Sequence, residues 1–345
     1  MAKYHIFTTS EKAWKGMLSA ITSARESVYL EMYILSEDTE GYNFFGELQK
    51  CAQRGVRVIA ILDIIGSRTL GEDVINRLRN TGVEVLFYSF FLRRTHRKIL
   101  IVDGKVAFVG GVNIHKHFAF WKDLQIRVSG KIVGTILRSF ARVYRECGGK
   151  DKVLSSVSQS VFAGTKLWFL ERGVGRREHL LRKYYEKRIS GAKNKIILVT
   201  PYLFPPRWLI AHLHQAILRG VSVDILLPKR TDHIWTIPFN LSFATFFTKL
   251  GARCLLFNEM NHAKAILIDK KEGMIGSQNL DPLSFSWNTE AGIFFSEPEM
   301  VRDLAQIIED WEKASTLFDP SKATFHWYDI PIAFLLRLFG FLPLW

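Results

Sequence analysis

The chain has 345 residues and a formal net charge of +14 at pH 7, from 47 Lys and Arg against 33 Asp and Glu. With 48% apolar and 23% charged residues it is too hydrophobic for a disordered basic tail, and its length suggests about two domains. The charge predicts a phosphate-containing partner, which composition alone leaves open between nucleic acid, anionic lipid and a small ligand.

The first half of the chain alternates helix and strand patterns. Residues 1–10 lack the apolar core of a secretory signal, and no run of about 18 apolar residues follows. A helix is predicted over 11–27, an apolar strand over 28–35, and further strands after Gly55 and Gly82. Three widely spaced cysteines argue against a disulfide framework and a Cys-rich zinc site, so we expect a protein of a reducing compartment.

The second half repeats this order after a Gly- and Ser-rich linker near residues 150–165. A helix is predicted over 178–190, a strand over 196–203, and further strands after Gly220 and Gly251. Continuous apolar strands between amphipathic helices indicate sheets covered on both faces, hence an α/β protein with two pseudo-symmetric lobes. The predicted division is 1–155, 156–325 and an apolar C-terminal segment, 326–345.

A longer repeat lies at the equivalent place in each half. Residues 96–113 read HRKILIVDGKVAFVGGVN and residues 262–279 read HAKAILIDKKEGMIGSQN, both of the form H-x-K-x4-D-x6-G-[GS]-x-N. Two extended copies in a duplicated unit are a strong signal, whereas one short match would be weak. The matching positions are His96, Lys98, Asp103, Gly110, Gly111 and Asn113 in the first copy and His262, Lys264, Asp269, Gly276, Ser277 and Asn279 in the second.

The spacing of the motif indicates its chemistry. On a strand, positions i and i+2 share a face, so each His and Lys pair points into one cleft. Two facing pairs, with the Asn side chains and the Gly-Gly or Gly-Ser backbone N–H groups, would surround a phosphodiester with donors. Two Lys repel a cation, so we expect metal-independent phosphoryl transfer without a cofactor. Asp103 and Asp269 precede turns and are expected to hold the loop by local hydrogen bonds; Arg93, Arg94 and Arg97 are expected to add phosphate attraction.

The two imidazoles need different protonation states. A neutral imidazole can attack phosphorus, and a protonated one can donate to the leaving oxygen. Asp123, 27 residues after His96, and Glu290, 28 residues after His262, each follow a Trp. These carboxylates are predicted to orient the His rings, as Asp does in a Ser-His-Asp triad.

The doubled motif is the signature of the phospholipase D superfamily, which the chain resembles over about residues 4–320. The resemblance implies two α/β/α sandwich lobes with the active site at their interface and a phosphohistidine intermediate. It implies that His96 is the nucleophile and His262 the general acid, with Glu290 orienting His96 and Asp123 orienting His262 across the interface. The predicted phosphate-binding residues are Lys98, Lys264, Asn113, Asn279, Gly111 and Ser277.

Within this superfamily the chain resembles bacterial cardiolipin synthases of the type without N-terminal membrane helices. The resemblance rests on SQNLDPLSFSWNTEA (277–291), VYLEMYIL, GVRVIAILDIIGS and KDLQIRVSG. It implies a phosphatidyltransferase that makes cardiolipin from phosphatidylglycerol. The alternative is a phospholipase D or nuclease that uses the same catalytic residues with water as acceptor.

Two apolar tracts and one basic segment favour lipid over nucleic acid. Residues 329–345, interrupted by Arg337, fit either a helix in the membrane interface or one packed on the core. Residues 234–248 carry no charge and either border the cleft or belong to the core, whereas a nuclease cleft would be polar and basic. Residues 166–195 carry a net +7, from ten Lys and Arg against three Glu. We therefore expect a peripheral protein on the cytoplasmic face of the bacterial cell membrane.

Overall fold

The computed structural model describes residues 3–37, 39, 41–90, 93–155, 166–173 and 180–322, so the predicted membrane segment 329–345 lies outside the described residues. The strands are β1 (Tyr4–Thr9), β2 (Ser27–Met32), β3 (Arg57–Asp63), β4 (Glu84–Tyr88), β5 (Lys98–Val102), β6 (Val106–Gly110), β7 (Lys122–Ser129), β8 (Leu167–Arg172), β9 (Lys195–Val199), β10 (Ser222–Pro228), β11 (Arg253–Phe257), β12 (Ala265–Ile268), β13 (Glu272–Gly276), β14 (Glu290–Phe295) and β15 (Ser315–Leu317). The helices are α1 (Ser10–Thr22), α2 (Phe44–Gln53), α3 (Glu72–Asn80), α4 (Ile132–Glu146), α5 (Lys152–Ser155), α6 (Leu180–Gly191), α7 (Arg207–Leu218), α8 (Ile237–Lys249), α9 (Pro282–Ser286) and α10 (Pro298–Lys313).

The chain forms two compact units. The first comprises Met1–Arg177, Ile275–Gln278 and Trp287–Phe294, and the second comprises Glu178–Met274, Asn279–Ser286 and Phe295–Trp345. Two short segments therefore group with the first unit: one lies near the end of the second motif, and the other follows the motif and contains Glu290. The predicted division at residue 155 stays a prediction.

The first sheet has seven strands in the order β1-β7-β6-β5-β2-β3-β4. Strands β2, β3 and β4 are parallel, and the remaining pairs are antiparallel. On one face Leu30 packs in a core with Trp14 of α1 and Leu48 of α2, and on the other Tyr29 stacks on Phe140 of α4 at 5.4 Å. The predicted α/β architecture, with strands buried on both faces, is confirmed.

The second sheet has eight strands in the order β15-β11-β10-β9-β12-β13-β14-β8. Strands β9, β10 and β11 are parallel, and β12 runs antiparallel to β9. This repeats the first sheet, where β5 runs antiparallel to β2, because the duplicated sequence produces the same strand pairing twice.

Each motif strand starts at the edge of its sheet where the parallel strands end. In the first sheet Lys98 pairs with Met32, the last residue of β2, and in the second Ala265 pairs with Val199, the last residue of β9. We call this side of each sheet its motif edge. Ligands of open α/β sheets bind outside the carboxyl ends of the parallel strands, so the topology brings each motif His to a binding edge.

The Asp of each motif lies at the opposite edge. Asp103 and Asp269 follow the motif His by seven residues, about 23 Å along an extended strand. Each has a positive φ, 52° and 53°, and accepts hydrogen bonds from three consecutive backbone N–H groups. The donors are Arg25, Glu26 and Ser27 for Asp103, and Lys193, Asn194 and Lys195 for Asp269.

These contacts correct two expectations. The hydrogen bonds of the two aspartates are long-range, to the turn before β2 or β9, and were predicted to be local. The first helix ends at Thr22 rather than at residue 27, because Asp103 binds the N–H groups of the segment that follows it. Their place at the far edge also gives both carboxylates a structural role, although they belong to the motif predicted to be catalytic.

Asp103→Asn should lower the free energy of unfolding by about 1–3 kcal/mol at pH 7, because an amide offers one acceptor oxygen to three N–H groups. Burial raises the pKa of Asp103, but the three N–H groups outweigh it and hold the pKa below its usual range. A lowered carboxyl pKa stabilises the fold above the unfolded pKa, and this stabilisation is lost as pH falls through the folded pKa. Urea unfolding should therefore show the two proteins converging below about pH 4. Lost turnover in fully folded Asp103→Asn would contradict the structural role.

Candidate active site

His96 is held at the motif edge of the first unit by backbone and side-chain contacts. Its backbone N–H donates to the Thr289 carbonyl at 3.0 Å, and its Nδ1 lies 3.0 and 3.2 Å from the carboxylate oxygens of Glu290. The residue is 8% exposed, and Nε2 is the ring nitrogen directed away from Glu290. A carboxylate on Nδ1 fixes the tautomer and ring orientation, so Nε2 is the atom suited to meet phosphorus.

Glu290, the first residue of β14, is fully buried. Burial raises its pKa, but the charge of His96 and its hydrogen bond, together with Lys98 and Ser277, outweigh this and hold the pKa below the usual range. The Ser277 hydroxyl donates to the carboxylate and accepts from the Ala291 N–H at 3.1 Å. The carboxylate therefore stays ionised and stabilises a positive charge on the imidazole.

Lys98 and Tyr33 complete the surroundings of His96. The Lys98 ammonium is fully buried, donates to the His96 carbonyl at 2.6 Å, and lies 5.0 Å from the Tyr33 ring centroid. The Tyr33 ring meets the His96 ring edge-on at 4.8 Å. Tyr33 is not among the residues predicted from the sequence, although its place at the end of the first apolar strand puts it at the motif edge.

The second unit repeats this local geometry. Lys264 is buried and donates to the carbonyl of His262, as Lys98 does to that of His96, and the Tyr202 ring meets His262 edge-on at 6.4 Å. The Tyr202 hydroxyl donates to Asp232. The predicted convergence of the two His on one substrate stays a prediction.

Asp123, the other predicted orienting carboxylate, is buried within the first unit. Its Oδ1 accepts from the Leu124 N–H at 2.7 Å. Its predicted pairing with His262 stays a prediction.

The two predicted Asn ligands differ in their contacts. Asn113 is anchored, because its Oδ1 accepts from the Ile34 N–H at 3.3 Å and its carbonyl accepts from the Trp14 indole at 2.9 Å. Asn279 is 7% exposed, and its Oδ1 has no hydrogen-bond partner among the described residues. The unpartnered atom is an acceptor, so a phosphate oxygen would have to be bound by the Nδ2 amide hydrogens of Asn279.

The backbone N–H groups of Gly111 and Ser277 are used inside the fold. Gly111 donates to the Leu124 carbonyl and Ser277 to the Ala291 carbonyl, both at 2.9 Å. This corrects the expectation that these N–H groups bind phosphate. A Cβ at Gly111 would lie 2.3 Å from Asp123, so glycine gives that carboxylate room, while Ser277 acts through Glu290.

Arg97 faces away from the motif edge, contrary to expectation. It is fully buried, within 3.2 Å of Glu31 and 3.4 Å of Glu171, and donates to the Ser139 hydroxyl at 2.8 Å. The reason is strand alternation: positions 96 and 98 share one face, and 97 points to the other. Arg93 and Arg94 are half-buried beside the motif and keep the predicted role as an expectation.

The same buried cluster anchors the residue before His96. The Thr95 hydroxyl donates to Glu31 at 2.5 Å, and the Thr95 N–H donates to Asp63 at 2.8 Å. Both neighbours of His96 are thus fixed to Glu31. In the second motif the positions of Thr95, Arg97 and Glu31 are occupied by Asn261, Ala263 and Val199, which cannot form this ion pair.

The apolar tract 234–248 is mainly core. Its helix α8 buries Phe243 and Phe247 fully, and Phe204 contacts the Phe243 ring edge-on at 5.6 Å. Ile234, before the helix, is instead 78% exposed. The core alternative therefore applies to most of the tract.

Two features were sought among the described residues, a metal-binding group and a membrane-spanning helix, and neither is present there. No group of three or more His, Cys, Asp or Glu side chains there has the geometry to hold a metal ion. Among the same residues, no helix is long and apolar enough to cross a membrane.

Two mixed α/β sheets, each with a His-Lys pair at its motif edge, define the phospholipase D class of fold. Phosphatidylserine synthase from Haemophilus influenzae has this fold, with a TM-score of 0.77 and 12% identity over 98% of this chain and 92% of that chain. Residues 17–131 and 185–311 match the family described as cardiolipin synthase, PLD-like domain. The chain belongs to this family, as the sequence resemblance predicted.

Individual relatives agree with this assignment. The chain is 30% identical over 332 residues to the cardiolipin synthase of Oceanobacillus iheyensis, spanning 90% of this chain and 69% of that protein. It is 29% identical over 326 residues to the major cardiolipin synthase ClsA of Bacillus subtilis, spanning 88% and 68%.

Proposed function

We propose that this protein is a phosphatidyltransferase that makes cardiolipin from two molecules of phosphatidylglycerol through a phosphohistidine intermediate. The observation that supports it best is the His96–Glu290 pair in a chain of the cardiolipin synthase family. A buried carboxylate on Nδ1 is the arrangement that prepares a His for nucleophilic attack and for the cation that follows.

In the proposed reaction, His96 Nε2 attacks the phosphorus of the donor phosphatidylglycerol and the P–O bond to glycerol breaks. Protonated His262 gives its proton to the departing glycerol oxygen. Neutral His262 then takes the proton from a hydroxyl of the second phosphatidylglycerol, whose oxygen attacks phosphorus as the N–P bond breaks. Cardiolipin leaves, and both imidazoles return to their starting states.

The buried cations supply the electrostatic part of the proposal. Lys98 and Lys264 each bind the carbonyl of their own motif His, which fixes the ammonium beside the ring. With Asn113 and Asn279 they would bind the non-bridging oxygens and stabilise charge in the transition state. Two fixed ammonium groups also repel a divalent cation, which supports a metal-independent reaction.

The asymmetry between the motifs supports His96 as the nucleophile. Only the first motif has both neighbours of its His fixed to one buried carboxylate, through Thr95 and Arg97. A strand held on both sides suits the residue that must carry a covalent intermediate in fixed geometry.

The proposed substrates place the protein at the surface of the bacterial cell membrane. The net charge of +14 favours anionic phospholipid. We keep the segment 329–345 as a proposed membrane contact and the cytoplasmic face as the proposed side.

Incubating the protein with phosphatidylglycerol vesicles in EDTA, followed by mass spectrometry of the lipids, tests this function. We expect cardiolipin and glycerol in equal amounts. His96→Ala and His262→Ala should each lose this activity, and Lys313→Ala, an exposed lysine at the end of α10, serves as a control. Phosphatidic acid alone would indicate a hydrolase, and turnover of oligonucleotides but not lipid would contradict the lipid assignment.

A further inference from the structure

Exposed apolar side chains concentrate at the motif edges. Among the described residues, eight large apolar side chains are at least 41% exposed. Six of them lie at the motif edges: Ile64, Ile65, Phe120, Ile234 and Trp287 in turns or loops, and Leu283 in the short helix α9. The other two, Leu218 and Leu317, lie at the end of α7 and on the edge strand β15.

The turns at the opposite edge of the sheets differ in character. They read Arg25-Glu26 before β2, Asp103-Gly104-Lys105 after β5 and Lys193-Asn194 before β9. Such turns are suited to water. Six of the eight exposed apolar side chains therefore lie at the motif edges, and Leu218 lies at the opposite edge.

The turn that carries Ile64 and Ile65 is rigid. The Asp63 carboxylate accepts from the N–H groups of Ile65 and Gly66 at 3.0 and 2.9 Å, and Ser67 Oγ donates to the Tyr33 carbonyl at 3.0 Å. A Cβ at Gly66 would lie 2.2 Å from the same carbonyl. Ile64 and Ile65 are thus 44% and 41% exposed on a turn whose other residues are hydrogen-bonded to the fold.

This turn is tied directly to the catalytic strand. Asp63 also accepts from the N–H of Thr95, the residue before His96, at 2.8 Å. Tyr33, which accepts from Ser67, contacts the His96 ring. Whatever Ile64 and Ile65 bind is therefore held at a fixed distance from His96.

Cations accompany the exposed apolar side chains. Arg68 lies four residues after Ile64, Lys116 and Lys122 flank Phe120, and Lys229 and Arg230 precede Ile234. Arg68, Lys229 and Arg230 are exposed. The acidic residues of these loops, Asp232 and Asp281, accept hydrogen bonds from the Tyr202 hydroxyl and the Ser284 N–H. The other motif-edge loops carry Glu37, which pairs with Arg77, and the exposed Glu259. Apolar tips with neighbouring cations match an anionic bilayer, whose headgroups lie above its acyl chains.

We propose that the motif-edge loops of the first unit, led by the Ile64–Ile65 turn, insert into the surface of an anionic bilayer and hold lipid phosphate at the level of His96. The inference rests on the proposed function, because it makes the bilayer that supplies the lipid the docking partner. It differs from membrane contact through 329–345 in placing the anchor on the turn attached to the catalytic strand.

The test compares the double variant Ile64→Ser/Ile65→Ser with Leu218→Ser, an equally apolar exposed position at the end of α7. Each full-length protein is sedimented with vesicles of phosphatidylglycerol and phosphatidylcholine. It is also assayed on long-chain phosphatidylglycerol in vesicles and on dihexanoyl phosphatidylglycerol below its critical micelle concentration. Circular dichroism and thermal unfolding report folding.

The double variant should bind vesicles at least about tenfold more weakly and lose vesicle turnover in proportion. Its turnover of monomeric dihexanoyl lipid should stay within about twofold of the parent, and Leu218→Ser should change neither quantity. If the double variant does not fold, Phe120→Ser on a separate loop should still weaken vesicle binding.

The inference is overturned if a folded double variant or Phe120→Ser binds vesicles like the parent. It is also overturned if the isoleucines instead support self-association, seen as a loss of dimer in sedimentation velocity with unchanged vesicle binding. Absence of turnover by the parent on both lipids would refute the proposed function, whatever the binding result.

Discussion

Glu290→Gln should lower kcat for phosphatidyl transfer by about a thousandfold in a protein that stays folded. The carboxylate that meets His96 Nδ1 at 3.0 Å is replaced by a neutral amide, which neither fixes the tautomer nor stabilises the imidazole cation. The expected change is in kcat more than in KM, because the interaction strengthens as charge develops. Discontinuous assays on phosphatidylglycerol measure kcat and KM, and unfolding curves show that each variant is folded.

Ser277→Ala is the matched control for Glu290→Gln. The hydroxyl donates to the same carboxylate without touching the imidazole, so its loss should cost about tenfold or less. The charge and hydrogen bonds of its neighbours outweigh the effect of burial and hold the pKa of Glu290 below its usual range. The carboxylate should therefore remain ionised above about pH 4. The acid limb is the fall of kcat at low pH. If this limb shifted in Ser277→Ala but not in Glu290→Gln, the assignment of the Glu290 carboxylate as the partner of His96 would be contradicted.

Arg97→Met should destabilise the fold by about 3–5 kcal/mol, because it leaves Glu31 buried without its cation, whereas Glu171 keeps Arg142 at 2.6 Å. Burial already raises the pKa of Glu31, and the charge of Arg97 opposes that shift. Urea unfolding at pH 7 measures the loss. Arg77→Met, which breaks exposed ion pairs with Glu37 and Asp73, should cost about 0.5 kcal/mol or less.

A double replacement separates the buried ion pair from simple loss of packing. Adding Glu31→Gln to Arg97→Met removes a charge that the single variant leaves unpaired, so part of the lost stability should return. A further drop of equal size would instead mean that the Thr95–Glu31 hydrogen bond dominates.

The duplicated motif let the sequence predict the lobes and the paired His and Lys, and the resemblance to the superfamily implied Glu290 as the partner of His96. The two-residue alternation of side chains along a strand predicts that positions 96 and 98 share one face. The same alternation predicts that Arg97 points to the opposite face. Its carboxylate partners could not be found by spacing, because Glu31 and Glu171 come from strands 66 residues before and 74 residues after it.

Other features depend on tertiary contacts that no local pattern carries. Asp103 looked like an ordinary turn residue, yet it binds N–H groups that lie 76–78 residues earlier. Gly111 looked like a phosphate-binding glycine, but the close approach of Asp123 and the Leu124 carbonyl gives it a packing role. No local pattern marks Ile64 and Ile65 as exposed, because they follow the apolar run of strand β3 after a single Asp.

The measurement that bears most directly on the mechanism is the capture of the phosphatidyl group on the protein. A phosphatidyl ester of p-nitrophenol is the substrate for this test, because nitrophenolate can leave without a proton from a general acid. His262→Ala should therefore form the covalent phosphatidyl intermediate and break it down only slowly. After a rapid quench at alkaline pH, mass spectrometry should find one phosphatidyl group on the peptide that contains His96, and none in His96→Ala. A phosphatidyl group on His262 in the parent enzyme, or nitrophenol release by His96→Ala at the parent rate, would contradict the proposed role of His96.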